Sequence, residues 1–219
     1  MSGLLFVFMI ALMVFVLSLV EQEKRKAQEV KRLKGADEAR EELLQELQDL
    51  LTREGVEIAI DSKQGVLRLK EGVLFQSGSA DLGAEGDTVV GKIGTALADV
   101  LPCYTHSDAA PRPNRCPERS GEGLMDALFI EGHTDDRVRP TADHPDAEAL
   151  SAARAISAAR VLVEAGRLPP DLLQIAGRGS ERPRRPNDTA VDRTWNRRVE
   201  VRLVALAARG GSANFGAGR

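Results

Sequence analysis

The 219-residue chain has few aromatic residues, few cysteines and no excess of positive charge. Aromatic residues make up only 4% of it, which leaves little material for stacking platforms that hold bases or sugars. The formal net charge of -3 argues against nucleic acid as a partner. The two cysteines, Cys103 and Cys116, flank a loop rich in Pro, Asn and Ser. In an oxidising compartment they would form one disulfide, and the alternative is two free buried thiols.

Residues 3–20 form a run without any charged residue. As a helix this run would span about 27 Å, enough to cross the apolar core of a bilayer. No basic residue precedes it, no small-x-small cleavage site follows it, and no cysteine lies near position 20. We therefore expect residues 1–20 to form an uncleaved transmembrane helix rather than a signal peptide or a lipoprotein anchor.

Residues 21–53 contain no proline and are rich in Glu, Lys, Gln, Ala and Leu, which predicts a helical linker. Two interpretations of this linker are open. It could form a short parallel coiled coil that continues from the membrane helix. Alternatively, it is a helical stalk whose leucines lie on the globular domain, namely Leu43, Leu44, Leu47 and Leu51.

Hydrophobic periodicity in the rest of the chain predicts an α+β sandwich over residues 54–208, with the order β-α-β-α-β-β and the helices on one face. The first β of this order is a hairpin of two strands, and Pro102 ends the first helix. The predicted strands are 56–60, 66–69, 127–130, 172–176 and 198–205, and the predicted helices are 86–101 and 148–164. Residues 178–192 are predicted to be a polar loop, and the glycine-rich end, 209–219, is predicted to be disordered.

Three short segments carry a family resemblance. Phe129–Asp136 reads Phe-Ile-Glu-Gly-His-Thr-Asp-Asp, an apolar run whose Gly132 lets the backbone turn into a polar cluster. Leu-Ser-Ala-Ala-Arg-Ala follows at 150–155, and Asn-Arg-Arg-Val-Glu at 196–200. Together and in this order they resemble the Gly-His-Thr-Asp, Leu-Ser-x-x-Arg-Ala and Asn-Arg-Arg-Val-Glu motifs of the OmpA-like peptidoglycan-binding domain. Residues 72–82 resemble the loop that opens this domain.

The resemblance implies a binding site for the peptide stem of peptidoglycan, in which diaminopimelate is held by Asp135 and Arg154. Diaminopimelate carries an ammonium and a carboxylate on one carbon, so a carboxylate can take the first and a guanidinium the second. Thr134 would orient the ligand, and Arg197 or Arg198 would line the same pocket. We expect Asp135 and Arg154 to be partly exposed.

The sequence departs from the family pattern in two places. Ala147 stands where the family usually has Asn, although Asp146 is close enough to replace that contact. The interval between Asp135 and Arg154 is also expanded and contains Pro140 and Pro145.

A membrane helix, a helical linker and an OmpA-like domain in one chain resemble the stator B subunits, which are MotB of flagellar motors and ZorB of the Zorya anti-phage systems. This implies a homodimer in the inner membrane, with the C-terminal domain in the periplasm and a multi-pass MotA-like or ZorA-like subunit as partner. The alternative is a simple cell-wall tether. The residues do not separate flagellar from defence use, although the long cysteine loop favours the defence relatives by resemblance.

In those relatives an Asp near the cytoplasmic end of the membrane helix binds the transported ion. No acidic residue precedes Glu21 here, which leads to the hypothesis that this Asp lies immediately upstream of Met1. The trio of His133, Asp135 and His144 matches no zinc pattern. We therefore expect neither a metal nor a cofactor, and a binding protein rather than an enzyme.

Overall fold

The computed structural model describes residues 2–76, 79–105, 116 and 125–205. The predicted α+β class is confirmed: helices occur along the chain between the strands of one five-stranded sheet. The elements are α1 (Ser2–Arg53), β1 (Ala59–Asp61), β2 (Val66–Lys70), α2 (Glu71–Leu74), α3 (Ala84–Val100), β3 (Met125–His133), α4 (Ala147–Gly166), β4 (Leu173–Gly177), α5 (Ala190–Asn196) and β5 (Arg198–Ala205). The tail predicted to be disordered, 209–219, lies outside the described residues.

The sheet has the strand order β1-β2-β5-β3-β4. β3 and β4 are parallel and are connected through α4, whereas the other neighbouring strands are antiparallel. In the pairing of β3 with β5, Ile130 lies opposite Val201 and Gly132 opposite Val199. Because side chains alternate between the two faces of a strand, these apolar residues share one face, and α3 and α4 pack against it.

Helix α1 combines an apolar first part with a last part that belongs to the globular core. Its first part has a mean hydropathy of 2.4 over the most apolar window and is long enough to cross a membrane. In its last part, the leucines at 43, 44, 47 and 51 are fully buried in the same core as the sheet and α3. Arg40 also donates to the Lys63 carbonyl in the β1–β2 turn at 3.1 Å. The core therefore begins within α1, before residue 54.

Several local expectations are corrected. β1 covers three residues instead of five, and α5 begins inside the predicted loop 178–192, where the Thr189 hydroxyl caps it by accepting from Asp192 N at 3.0 Å. Helix α4 runs to Gly166, two residues beyond the predicted end at 164, and Arg167 after it takes the left-handed conformation with φ 49°. Glycine is needed at 166 because a side chain there would collide with the backbone of Gly94 in α3.

A disulfide joins Cys103 to Cys116, with 5.2 Å between their Cα atoms. Cys103 is buried at the end of a 3-10 turn, Leu101–Cys103, which contains Pro102. The two ends of the long loop meet in the sheet region, because Met125 N donates to the Tyr104 carbonyl at 2.8 Å. The remaining residues of that loop lie outside the described part of the chain.

Gly132 has a different role from the one the sequence suggested. It lies inside β3 and does not form a turn. A side chain at this position would overlap the backbone of Ser151 in α4, so glycine permits the close approach of strand and helix. This contact places the first turns of α4 over the end of β3.

The sheet face away from α3 and α4 carries charged side chains from β3 and β5. Glu131 pairs with Arg178 at 2.6 Å, and Glu200 pairs with Arg198 at 2.8 Å and with Arg68 at 3.1 Å. Both carboxylates are almost fully buried. Burial alone would raise their pKa values, but hydrogen bonds from these arginines and their positive charge lower both below the usual range.

His133 lies in the same charged layer and is 2% exposed. Neither ring nitrogen has a hydrogen-bond partner among the described residues. Burial, together with the nearby charge of Arg198, lowers the pKa of His133 to about 4. The imidazole is therefore neutral at physiological pH.

We predict that Gly132→Ala lowers the free energy of unfolding by about 3 kcal/mol, since the new methyl group overlaps a helix backbone that cannot move freely. Gly35→Ala is the matched control: Gly35 lies in α1 with no atom near its missing side chain, and alanine is the better helix former. Urea unfolding of both variants, followed by the fluorescence of Trp195, measures the difference. Equal stability of the two variants would show that the strand and helix are not in close contact.

Stability should also fall with acidity through His133. Between pH 6.5 and about 4 the unfolded chain binds a proton at this residue and the folded chain does not, so the free energy of unfolding decreases as the pH falls, by about 3 kcal/mol in all. His133→Gln should remove this part of the pH dependence, whereas His144→Gln should leave it in place. An unchanged pH profile for His133→Gln would contradict the buried neutral imidazole.

Candidate functional site

A cleft of about 710 Å³ lies where the end of β3, the start of α4 and the short helix α2 meet. The sequence predicted four of the residues that line it: Thr134, Asp135, Arg154 and Arg197. The other lining residues were not predicted as site residues: Glu71, Gly72, Phe75, Arg137, Val138, Arg139, Thr141, His144 and Leu150.

Asp135 lies two residues after the end of β3 and is 7% exposed. Its Oδ1 accepts from the backbone N of Arg137 at 2.9 Å, which fixes the carboxylate in the turn after the strand. Its Oδ2 forms an ion pair with Arg197 at 2.6 Å. Asp135 is thus already oriented and already paired.

Arg154 lies in the second turn of α4 and is 3% exposed. Its Nε donates to the Ser79 carbonyl at 3.0 Å, and its guanidinium lies 5.3 Å from the centre of the Phe75 ring. Burial lowers the pKa of this guanidinium, and the neighbouring carboxylate of Glu71 opposes that effect. The expectation that Asp135 and Arg154 are partly exposed is wrong: Arg154 is covered by its contacts with residues 71–79, and Asp135 by its contacts with Arg137 and Arg197.

Glu71 at the start of α2 connects the two arginines of the cleft. Its Oε1 accepts a hydrogen bond from Arg154, and its Oε2 lies 2.6 Å from Nε of Arg197. The order Asp135, Arg197, Glu71, Arg154 is therefore an ion-pair series with alternating charge and no net charge. Within the described residues, Asp135 and Arg154 share the cleft but are joined through the two intermediate residues.

Two atoms of the cleft are buried without a hydrogen bond to any described residue: Glu71 Oε2 and Thr134 Oγ1. The Oε2 contact with Arg197 is an ion pair without hydrogen-bond geometry. The backbone N of Thr134 donates to Gly179 at 2.9 Å, so its position is set while its hydroxyl remains unpaired. Both residues line the cleft, but these two atoms themselves expose almost no surface.

The cleft as a whole is positively charged. Its lining contains the arginines at 137, 139, 154 and 197 but only the carboxylates of Glu71 and Asp135, an excess of two positive charges. Arg137 and Arg139 are exposed at its mouth, on the segment that expands the interval between Asp135 and Arg154. This distribution favours an anionic ligand over a cationic one.

The prediction that Arg198 lines the pocket is wrong. Neighbouring residues of a strand face opposite sides of the sheet, so Arg197 enters the cleft and Arg198 enters the charged layer behind it. There Arg198 is 7% exposed and donates to Glu200 at 2.8 Å.

Other motif residues are structural. Asn196 is fully buried, and its Oδ1 accepts from the backbone N of Arg184 at 2.8 Å and of Arg185 at 3.1 Å. Ser151, also fully buried, accepts from Gly179 N at 3.0 Å. Asp146 caps α4 by accepting from Ala149 N at 2.7 Å and is not among the lining residues of the cleft.

One group of side chains has the composition of a metal site, because ligand atoms of Glu131, His133 and Glu200 lie within 4.8 Å of one another. Their carboxylates are held by arginines at 68, 178, 198 and 202. The positive charge of four guanidinium groups opposes the entry of a cation, so these residues do not suit a metal. His133 is also separated from the cleft by the sheet, unlike Asp135 and His144.

Sequence reasoning missed Glu71 because it belongs to none of the three motifs. The pairing of β2 with β5 places Lys70 opposite Arg198, and Glu71 N donates to the Arg197 carbonyl at 3.2 Å. Knowledge of this register would have identified Glu71 as the neighbour of Arg197.

Comparison with known proteins agrees with this architecture. A model of the OmpA family matches residues 119–197. The protein YtxE of Bacillus subtilis is 28% identical over 141 residues, which are 64% of this chain and 48% of YtxE, so the chain spans about half the length of this curated relative.

Among solved structures, a putative MotB-like protein from Desulfovibrio vulgaris is similar with 27% identity and a TM-score of 0.59, over 78% of this chain and 98% of that one. The cell wall anchor of the T6SS from Pseudomonas aeruginosa has the same fold, with 24% identity and a TM-score of 0.54 over 74% of this chain and 96% of that one. The periplasmic domain of Helicobacter pylori MotB also shares the fold, with 24% identity and a TM-score of 0.52 over 73% and 86%. Taken with the cleft and its motifs, these matches show an OmpA-family match over residues 119–197, within a globular part that has the fold of an OmpA-like, MotB-type domain.

Proposed function

We propose that this chain is a membrane-anchored subunit that binds peptidoglycan through the cleft and thereby attaches a stator-like complex to the cell wall. The observation that carries the proposal is the position of Asp135, Arg154 and Arg197 in one cleft. A wall anchor of the same fold and the MotB-like relative support it.

The ligand that fits this site best is the diaminopimelate residue of a peptide stem. Its free carbon carries an ammonium group and a carboxylate, which match Asp135 on one side and the guanidinium groups of Arg154 and Arg197 on the other. Thr134 also lines the cleft, and its hydroxyl, which has no hydrogen-bond partner among the described residues, would orient the ligand. A lysine stem has the ammonium but lacks the carboxylate, so it would leave the arginines without a new partner.

The net charge of the cleft supports the same ligand class. A stem that ends in diaminopimelate followed by one alanine carries three carboxylates and one ammonium when none is amidated. Its two excess negative charges match the two excess positive charges of the cleft lining. Arg137 and Arg139 at the mouth are placed to meet the carboxylates beyond the zwitterionic carbon.

The remaining parts of the proposal concern the anchor. The apolar part of α1 would place the chain in the inner membrane as a single-pass protein, with the OmpA-family domain in the periplasm. We propose that two copies assemble with a multi-pass MotA-like or ZorA-like subunit, in a flagellar motor or in a Zorya-type defence system. A simple tether would share the cleft but would have no such partner.

Asp135→Asn should reduce retention on purified diaminopimelate-type cell wall at least tenfold, because the amide keeps the shape of the side chain but loses the charge that attracts the ammonium. The measurement is a sedimentation assay with the full-length protein in mild detergent. Asp136→Asn is the matched control, since Asp136 is the next residue, is exposed and does not line the cleft. Equal retention of the two variants would contradict the assignment. So would retention of the unaltered protein on lysine-type wall that equals its retention on diaminopimelate-type wall.

Purification of the full-length protein from native membranes should recover a multi-pass membrane protein in a stable complex. Replacement of residues 2–20 by an unrelated transmembrane helix of equal length should abolish this complex and leave wall retention unchanged, because the cleft lies elsewhere in the chain. Mass spectrometry identifies the recovered protein. If neither form recovers a multi-pass partner, the chain is a simple tether.

A further inference from the structure

We propose that Glu71 is an internal substitute for the carboxylate of the ligand, so that binding exchanges one carboxylate for another between Arg154 and Arg197. This inference rests on the proposed function of the cleft. It assigns a role to a residue outside the three motifs, and it specifies what the ligand must carry in order to bind.

The contacts of Glu71 are those that a bound carboxylate would make. One oxygen accepts from the Arg154 guanidinium, and the other lies 2.6 Å from Nε of Arg197. Both arginines line the cleft together with Asp135. A ligand carboxylate cannot take either position in full while the Glu71 side chain remains there.

Burial explains why such a substitute is needed. Arg154 is 3% exposed, and an unpaired guanidinium in that position would lose its hydration without gaining a partner. Glu71 therefore stabilises the empty cleft by neutralising Arg154. A ligand that offers its own carboxylate can replace Glu71 without leaving the arginine unpaired.

The Glu71 side chain is suited to this exchange because it accepts fewer well-directed hydrogen bonds than Glu131, another buried carboxylate of the domain. Among the described residues, Glu71 Oε2 contacts Arg197 as an ion pair without a well-directed hydrogen bond, whereas Glu131 accepts from both Nε and a terminal nitrogen of Arg178 at 2.8 and 2.6 Å. Glu71 also lies in a four-residue helix at the wall of the cleft, so its side chain has open volume beside it.

The exchange restricts the ligand class. Only a stem whose terminal diaminopimelate carboxylate is free and ionised can replace Glu71, so an amidated diaminopimelate stem and a lysine stem should both bind poorly. The specificity then comes from competition with a resident carboxylate as well as from attraction to the arginines.

The test is calorimetric titration of the full-length protein in mild detergent with a synthetic stem tripeptide that ends in meso-diaminopimelate. Glu71→Gln should bind this peptide at least tenfold more tightly than the unaltered protein, because the arginines lose their internal partner. The same variant should have a lower unfolding temperature without the peptide and a larger rise in that temperature with it. The amidated peptide should gain much less from the substitution.

Glu131→Gln is the matched control, because Glu131 is also buried, at 3% exposure against 9% for Glu71, and is paired with arginines, but on the other face of the sheet. It should lower the unfolding temperature and leave the affinity unchanged. A second measurement uses the unaltered protein: the δ-carbon signal of isotopically labelled Glu71 should shift when the peptide binds, as expected for a carboxylate released from its guanidinium partners.

The outcomes separate the two proposals. Weaker or equal binding by Glu71→Gln, or an unmoved Glu71 signal on binding, overturns the exchange and leaves peptidoglycan binding intact. If neither the unaltered protein nor Glu71→Gln binds the peptide although both are folded, the proposed function and the exchange are overturned together. Tighter binding by Glu71→Gln with unchanged binding by Glu131→Gln supports both.

Discussion

Two arginines from different elements converge in one partly enclosed cleft, and the carboxylates from two further elements make this arrangement stable. Arg154 lies in α4, Arg197 immediately precedes β5, Glu71 lies in α2 and Asp135 lies in the turn after β3. Each charge is paired with an opposite one in the ion-pair series. Since a buried charge without a partner costs several kcal/mol, the four elements must meet in this geometry or not form the cleft at all.

Close backbone contacts bring these elements together. Gly132 allows α4 to approach β3, and a contact between Gly94 and Gly166 allows α3 to approach α4. Helix α4 is thereby held against the sheet and against its neighbouring helix, and this fixes Arg154 beside the end of β3. The glycines thus determine the position of a charged side chain that none of them touches.

The sequence predicted the parts of this protein that depend on local patterns or on motifs. Periodicity identified α3, α4 and the strands, and the motif resemblance identified Asp135 and Arg154 as neighbours in space. It also placed four leucines of the linker against the domain as one of two alternatives, and these residues are buried. Each of these features can be recognised within a short segment of chain or by comparison with a family.

The features that were missed depend on pairing between distant segments. Glu71 could be identified as a site residue only from the register of β2 against β5. The alternation of side chains along β5 places Arg198 on the face away from the cleft. Gly132 was interpreted as a turn because its contact with α4 involves a residue 19 positions later, Ser151, and no local pattern records such a contact. The short helix α5 was hidden in a segment whose composition is that of a loop.

The central claim is that the cleft binds a zwitterionic carbon through Asp135 on one side and Arg154 and Arg197 on the other. A crystal structure of the protein with a meso-diaminopimelate stem peptide tests it most directly. We expect the ammonium of the peptide within hydrogen-bond distance of Asp135, its carboxylate between the two guanidinium groups, and the Glu71 side chain displaced from that position. A peptide bound elsewhere, or bound in the cleft with its carboxylate away from both arginines, would contradict it.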